Sequence, residues 1–220
     1  DMAVTVYDIQ TYRMTDADIA PWRETPVAVA VDLSVDIGQI DPAIRPLMPA
    51  GRQPRLFGRA VTAQCVPPDF GAVVHALDQI QAGDVLMISA AGNRDFAMIG
   101  DVLGGHLRRI GCVGIVCDGA VRDVGMLAQW ADFSVYLRFI TPRGPQSAEK
   151  GVVNGPVVIG GQIVHPGDLV IGDDDGLAVL SAHAVRTHLN GALEKLKKEA
   201  GWMESLAAGR SAAETFGLKA

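Results

Sequence analysis

The segment CDGAVRD, residues 117–123, sets Asp118, Arg122 and Asp123 close together at the end of an apolar run. That run, GCVGIVC (111–117), is entered by glycine and reads as a buried strand. Polar groups in such a place are either turn chemistry or a site. Asp123, with Asp101 in a neighbouring loop, suits Mg²⁺, which proteins hold through one or two carboxylates plus waters and a substrate oxygen. Arg122 presents a planar fork that grips a carboxylate in a way lysine cannot. A second polar segment, SAAGNRDFAMIGD (89–101), ends on Asp101, just before VLGGHLRRI (102–110). If Asp101 caps a helix beginning at Val102, the first N–H groups of that helix form an anion site. Gly92, Gly100, Gly104 and Gly105 would let the backbone come close to a ligand.

The same residues admit a plainer reading. Asp118 and Asp123 would be turn and cap residues, with Arg122 in a surface ion pair. The residues alone leave both readings open.

Several elements must position these groups. DVLMIS (84–89) and GCVGIVC are apolar strands. Between them VLGGHLRRI turns Val102, Leu103, His106, Leu107 and Ile110 to one helical face and Arg108 and Arg109 outward. A strand–helix–strand unit of this length suits a parallel crossover, whose ligands collect beyond the carboxyl ends of the strands. Upstream, TDADIA (15–20) resembles a capped helix start, GRAVTAQC (58–65) a strand and FGAVVHALDQI (70–80) a short helix. PVAVAVDLSVDIG (26–38) alternates valines and by period favours a strand. A helix through Met126, Leu127 and Trp130 precedes FSVYLRF (133–139), which alternates apolar and polar positions. Residues 151–180 read as short strands separated by Gly, Pro and Asp turns, and 182–208 as a helical segment interrupted near Gly201. The expected class is α/β: a layered domain with a βαβ core and a compact β section.

The chain of 220 residues reads as one domain. Its formal charge of −6 argues against nucleic acid, whose phosphates need clustered Lys and Arg. No apolar run is long enough to span a membrane, and the stretch DMAVTVYDIQ lacks the basic and apolar segments of a secretory signal. Cys65, Cys112 and Cys117 form no CxxC and read as buried thiols of a cytoplasmic protein.

The stretch GNRDFAMIGDVLGGHLRRIGCVGIVCDGAVRD resembles the signature of the family of 4-hydroxy-4-methyl-2-oxoglutarate aldolases and RraA-like regulators of ribonuclease E activity. GRAVT (58–62), GDVLMI (83–88), VNGPVVIGGQIVHPGDLVIGDDDGLAVL (153–180) and KKEAGWMESLAAG (197–209) match family segments in order, so the resemblance runs from about residue 25 to the end. It implies a swivelling β/β/α fold over 1–220, assembled as homotrimers or homohexamers. The C-terminal segment, about 182–220, would pack on a neighbouring subunit. It also makes 26–38 a helix, against the period-2 reading.

The activity implied is that of a divalent-metal (class II) pyruvate aldolase using Mg²⁺ or Mn²⁺. It would cleave a 4-hydroxy-2-oxo acid of the 4-hydroxy-4-methyl-2-oxoglutarate or 4-carboxy-4-hydroxy-2-oxoadipate type, and decarboxylate oxaloacetate. Carried onto this chain, Asp123 would be the direct metal ligand and Asp101 would hold water on the metal. Arg122 and the backbone of Asp101, Val102, Leu103 and Gly104 would hold the pyruvyl group. A glutamate from the neighbouring subunit would join them, with Glu199 the candidate and Glu204 the reserve. Regulator members commonly lack the acid after the arginine. Asp123 therefore favours the aldolase branch over a non-catalytic protein-binding scaffold. The residues around 141–150, TPRGPQSAEK, carry no recognisable specificity motif.

The residues also bear on mechanism. A Schiff-base aldolase needs a desolvated lysine. The first lysine here is Lys150, with the others in the polar C-terminal region, so none is expected near the constellation. DDDG (173–176) reads as a turn, His106 as a packed residue on an apolar face, His165 as part of a strand-end turn, and Trp202 and Met203 as packing onto a partner.

Overall fold

The apolar runs at 56–64, 84–89, 114–121 and 134–140 become four parallel neighbours in one sheet. A computed structural model describes residues 3–9 and 14–219; residues 1, 2 and 10 of the opening stretch DMAVTVYDIQ lie outside the described part. The strands in chain order are β1 (Thr5–Val6), β2 (Gly38–Gln39), β3 (Arg45–Pro46), β4 (Leu56–Gln64), β5 (Asp84–Ser89), β6 (Ala97–Ile99) and β7 (Gly114–Val121). They continue with β8 (Ser134–Ile140), β9 (Val152–Val153), β10 (Val157–Ile159), β11 (Gln162–Val164), β12 (Leu169–Asp173) and β13 (Gly176–Leu180). The main path runs β2-β13-β12-β4-β5-β7-β8-β3, and β10 and β11 form a separate hairpin. β4, β5, β7 and β8 pair in parallel, while β12, β13, β2 and β3 join antiparallel on either side.

Parallel strands covered on both faces read as continuous apolar runs, and these do. Val61, Leu86, Ile88, Ile115 and Cys117 face one layer with helices α3 (Gly71–Ala76), α4 (Asp101–Arg109) and α5 (Val124–Leu127). Ala60, Val85, Met87 and Val116 face the other, which the β10–β11 hairpin closes. A third cluster packs α1 (Asp16–Ile19), α2 (Val27–Val31), α6 (Ala182–Thr187) and α7 (Leu189–Ala207) onto β12 and β13; α8 (Ala212–Thr215) follows.

Thr15 and Asp18 close a capping box on α1, as TDADIA implied. Of the stretch 26–38, which the resemblance makes a helix and periodicity a strand, 27–31 form helix; the chain then turns and enters β2 at Gly38. Pro26 starts the helix in an extended conformation, and the distant Asp173 accepts the N–H of Val27 at 2.9 Å. FSVYLRF is a strand, but its intervening positions do not face water: Tyr136 is buried and its hydroxyl donates to the Asp173 carbonyl at 2.7 Å. The helix at Met126 stops at Leu127, short of Trp130. The C-terminal helices break at His188, and Gly201 sits inside an unbroken α7. Asp173–Gly176 is a hairpin turn between β12 and β13. Among the described residues no helix is long and apolar enough to cross a membrane.

Candidate active site

Strand β7 runs further than the apolar pattern suggested. It continues through Asp118 to Val121, with a register shift between Cys117 and Ala120. Asp118 is therefore no turn residue. It is buried, accepts the Arg138 Nε–H at 2.7 Å and takes the Gly160 N–H on its other oxygen at 2.7 Å. This bonded pair ties β7 and β8 to the β10–β11 hairpin, and Asp118 does not line the cavity beside Arg122 and Asp123.

Beyond Val121 the chain turns sharply. Asp123 sits in the left-handed region, φ 58°, where a residue with a β-carbon is uncommon and strain clusters at functional positions. The turn aims its carboxylate at the start of α4. Asp123 Oδ2 accepts the Asp101 N–H at 3.1 Å and lies 3.9 Å from Arg122 Nε. Asp101 is thus the first residue of α4 and does not cap it. Gly100 holds the cap position without a side-chain bond, and the carboxylate arrives from a separate loop. A β-carbon on Gly100 would collide with Asp123 Oδ2, so glycine here is a condition of the close approach.

A cavity of about 90 Å³, room for about three waters, opens here. It is lined by Ile99, Gly100, Val102, Leu103, Arg122 and Asp123, together with Phe70 and Pro145. Arg122, Asp123, Val102 and Leu103 are brought together as the sequence suggested. Asp101 borders this group through its backbone. Gly104 is not available: its N–H donates to the Gly100 carbonyl at 2.9 Å, and the glycines at 104 and 105 make room for Leu127 and Trp130. The second and third positions of a helix have no intrahelical acceptor, so Val102 and Leu103 offer the usable amides. Val102 is 77% exposed at the cavity mouth and does not join the apolar face of α4.

The donor set suits a divalent cation that retains water. Asp123 has one oxygen beyond the Asp101 bond, and no group of three potential metal-ligating residues occurs among the described residues. Mg²⁺ held by a single carboxylate, waters and a substrate fits that arrangement; a closed all-protein cage does not. Asp123 stands 40% exposed at an open rim, so such a cation could be reached.

Glu199 lies on α7, in an ion pair with Lys195 at 3.4 Å, and that lysine also reaches Asp32 at 3.8 Å. Helix α7 packs on α2, α6 and α8, so within one chain Glu199 belongs to the β12–β13 side of the fold. Glu204 is exposed on the same helix. Within its own chain Trp202 stacks edge-on against Phe216, 5.1 Å between centroids.

Sequence reasoning missed two of the lining residues. Phe70 and Pro145 come from segments 75 positions apart. Lys150 belongs to the same loop as Pro145, nearer than its separation from Arg122 implied, yet it does not line the cavity. The signal available was local: an aspartate two residues before Gly71 at a helix start, which bonds the Gly71 N–H at 2.7 Å. The three thiols are buried, with burial pushing Cys65 up to about 12 and Cys112 to about 11, so they are inert as expected.

Residues 15–179 match the family described as RraA-like, Aldolase/RraA. The chain belongs to this family. A Halalkalibacterium halodurans protein named "Putative 4-hydroxy-4-methyl-2-oxoglutarate aldolase" is 31% identical over 162 residues, 74% of this chain and 75% of that protein. Among solved structures, the RNA-processing inhibitor RraA from Thermus thermophilis superposes with a TM-score of 0.64 at 28% identity, covering 71% of this chain and 93% of the other. An unusual RraA-family member from Streptomyces coelicolor gives 0.74 at 26% identity, covering 86% and 97%. RraA-like relatives thus include a protein named for an aldolase and one named as an RNA-processing inhibitor.

Proposed function

We propose that this RraA-like protein is a divalent-metal-dependent carbon–carbon lyase. It cleaves a 4-hydroxy-2-oxo acid of the 4-hydroxy-4-methyl-2-oxoglutarate or 4-carboxy-4-hydroxy-2-oxoadipate type and decarboxylates oxaloacetate. One observation carries this reading: Arg122, Asp123 and the first turn of α4 line a single cavity. A protein-binding scaffold has no evident need for an aspartate held at φ 58° against a helix start.

Asp123 would hold Mg²⁺ or Mn²⁺ through its open oxygen, and the cation supplies Lewis-acid stabilisation of developing negative charge. The Arg122 guanidinium and the Val102 and Leu103 amides receive the pyruvyl group. Asp101, half-exposed at the start of α4, holds the water that takes the C4 hydroxyl proton. As that proton leaves, C4–O becomes a carbonyl, the C3–C4 bond breaks and its electron pair passes into a pyruvate enolate. Arg122 stabilises the enolate until C3 is protonated. Glu199 of a second copy completes the site in a homotrimer or homohexamer.

One solved neighbour named as an RNA-processing inhibitor, and another named as an unusual member of an RNase ES inhibitor family, support a rival, a regulator on the same scaffold. A panel of 4-hydroxy-2-oxo acids and oxaloacetate, with pyruvate release coupled to a dehydrogenase in Mn²⁺ buffer, separates the two. Turnover that needs Asp123 supports the lyase. No turnover, together with no Mn²⁺ binding, leaves the regulator.

A further inference from the structure

The loop from β8 to β9 contributes Pro145 to the cavity lining, and a buried carboxylate outside the cavity holds the far end of that loop. Asp69 is 2% exposed and accepts four hydrogen bonds. The Ser147 hydroxyl donates at 2.6 Å, the Glu149 N–H at 2.7 Å, the Lys150 N–H at 3.0 Å and the Gly71 N–H at 2.7 Å. Burial by itself would raise the Asp69 carboxyl; the four donors outweigh it and hold it at about 2, so the clamp is anionic across the neutral range. Two backbone bonds flank it, from Gln146 N–H to the Pro68 carbonyl at 2.9 Å and from Phe70 N–H to the Ser147 carbonyl at 3.0 Å. Residues 146–150 are thereby fastened to 68–71.

The other end of the same loop meets Arg122. The Pro142 carbonyl lies 3.5 Å from Arg122 Nη1, and a β-carbon built on Gly144 would stand 2.6 Å from that nitrogen. Pro145, between the clamp and this contact in sequence, lines the same cavity as Arg122 and Asp123. The guanidinium therefore lies against this loop, which is held at one end by the Asp69 clamp and in its middle by the Ala97 N–H, donated to the Arg143 carbonyl at 2.7 Å.

We propose that Asp69 is a positioning residue: by clamping 146–150 it seats 142–145 against Arg122 and fixes the guanidinium relative to Asp123. The proposal rests on the lyase reading of this cavity. It assigns the 141–150 loop, which carries no motif of its own, the task of holding the arginine in its working place.

The test uses full-length Asp69→Asn, Ser147→Ala and Gly144→Ala. Oxaloacetate kcat and KM, Mn²⁺ affinity by calorimetry, trypsin cleavage after Arg143 and melting are measured for each. Asp69→Asn should lower kcat by about tenfold to a hundredfold, the scale of a misplaced catalytic group. Its Mn²⁺ affinity should stay unchanged and cleavage after Arg143 should accelerate. Gly144→Ala displaces the guanidinium directly and leaves the clamp intact, so kcat should fall with no change in cleavage or melting. Ser147→Ala removes one of the four bonds and should shift kcat and cleavage the same way by a smaller factor, even if Asp69→Asn does not fold. Wild-type kcat in Gly144→Ala, or in a clamp variant whose loop is cut faster, overturns the proposal. If the wild type itself turns over no oxo acid, the lyase reading fails and takes this inference with it; an active wild type with unaffected variants sinks the inference alone.

Discussion

The carboxylate of Asp123 accepts the N–H of Asp101 at 3.1 Å, so the residue that ends the DGAVRD segment caps helix α4 from a separate loop. One carboxylate thereby joins the two halves of the site. It ties the helix start to the turn that carries Arg122, and its other oxygen is not used by that bond.

Arg122 and Asp123 should fail in different ways. Asp123→Asn keeps an acceptor for Asp101 but loses the charge, so Mn²⁺ affinity should drop and excess metal should restore part of the turnover. Arg122→Lys keeps the charge and loses the fork, so Mn²⁺ binding should persist while the rate falls by about a hundred- to a thousandfold. Calorimetry with Mn²⁺, alongside oxaloacetate turnover, separates them. Unchanged metal affinity in Asp123→Asn would refute the site.

Gly100→Ala tests the close approach. Its β-carbon would occupy the place of Asp123 Oδ2, so the carboxylate must move. We expect turnover and Mn²⁺ affinity to fall together, with melting lowered by the loss of one cap, about 1 kcal/mol. A variant that binds Mn²⁺ as well as the wild type would show that the carboxylate does not need this seat.

Chelation and trapping address the mechanism. EDTA should cut turnover more than about a hundredfold, and Mg²⁺ or Mn²⁺ should restore it. Borohydride added with pyruvate should leave the enzyme active, since no lysine lines the described cavity. A covalent adduct on any lysine, found by mass spectrometry, would sink the proposed chemistry.

Sharing of the site between copies has its own readout. Asp123→Asn and Glu199→Gln should each be nearly inactive, yet mixing them after dissociation and reassembly should recover part of the activity, because some sites then carry both native residues. Sedimentation should give a multiple of three. No recovery in well-mixed assemblies would remove Glu199 from its assigned role.

Asp168 predicts a pH dependence of stability. Burial pushes its carboxyl up to about 6, offset in part by the bond from the His165 N–H. Between about pH 4 and 6 the folded state keeps a proton that the unfolded chain releases, so stability falls as pH rises through that window. Above it the ionised group costs up to about 3 kcal/mol. Asp168→Asn retains an acceptor for His165 and should raise the melting temperature at pH 7.5 but not near pH 4. An equal gain at both pH values would show that the effect is not ionisation.

Local pattern decided more of this protein than its length would suggest. DVLMIS became β5 residue for residue, because a strand buried on both faces leaves no polar position inside it. Thr15 and Asp18 announced α1, since a capping box closes within four residues. Arg122, Asp123, Val102 and Leu103 were legible as a site because two contiguous segments carry them and parallel strands deliver both segments to one edge. What stayed hidden depends on partners far along the chain. The valines of 27–31 alternate as in a strand, but Asp173, 146 positions along the chain at the end of β12, accepts the Val27 N–H and caps them into a helix. Asp118 looked like a turn until Arg138 and Gly160 supplied the bonds that let it be buried. Asp69 and the 146–150 segment have no pattern in common, and only folding brings one carboxylate to four donors. Periodicity reports which face an element buries; which polar groups meet at the end of that element is settled by tertiary contacts that no local window contains.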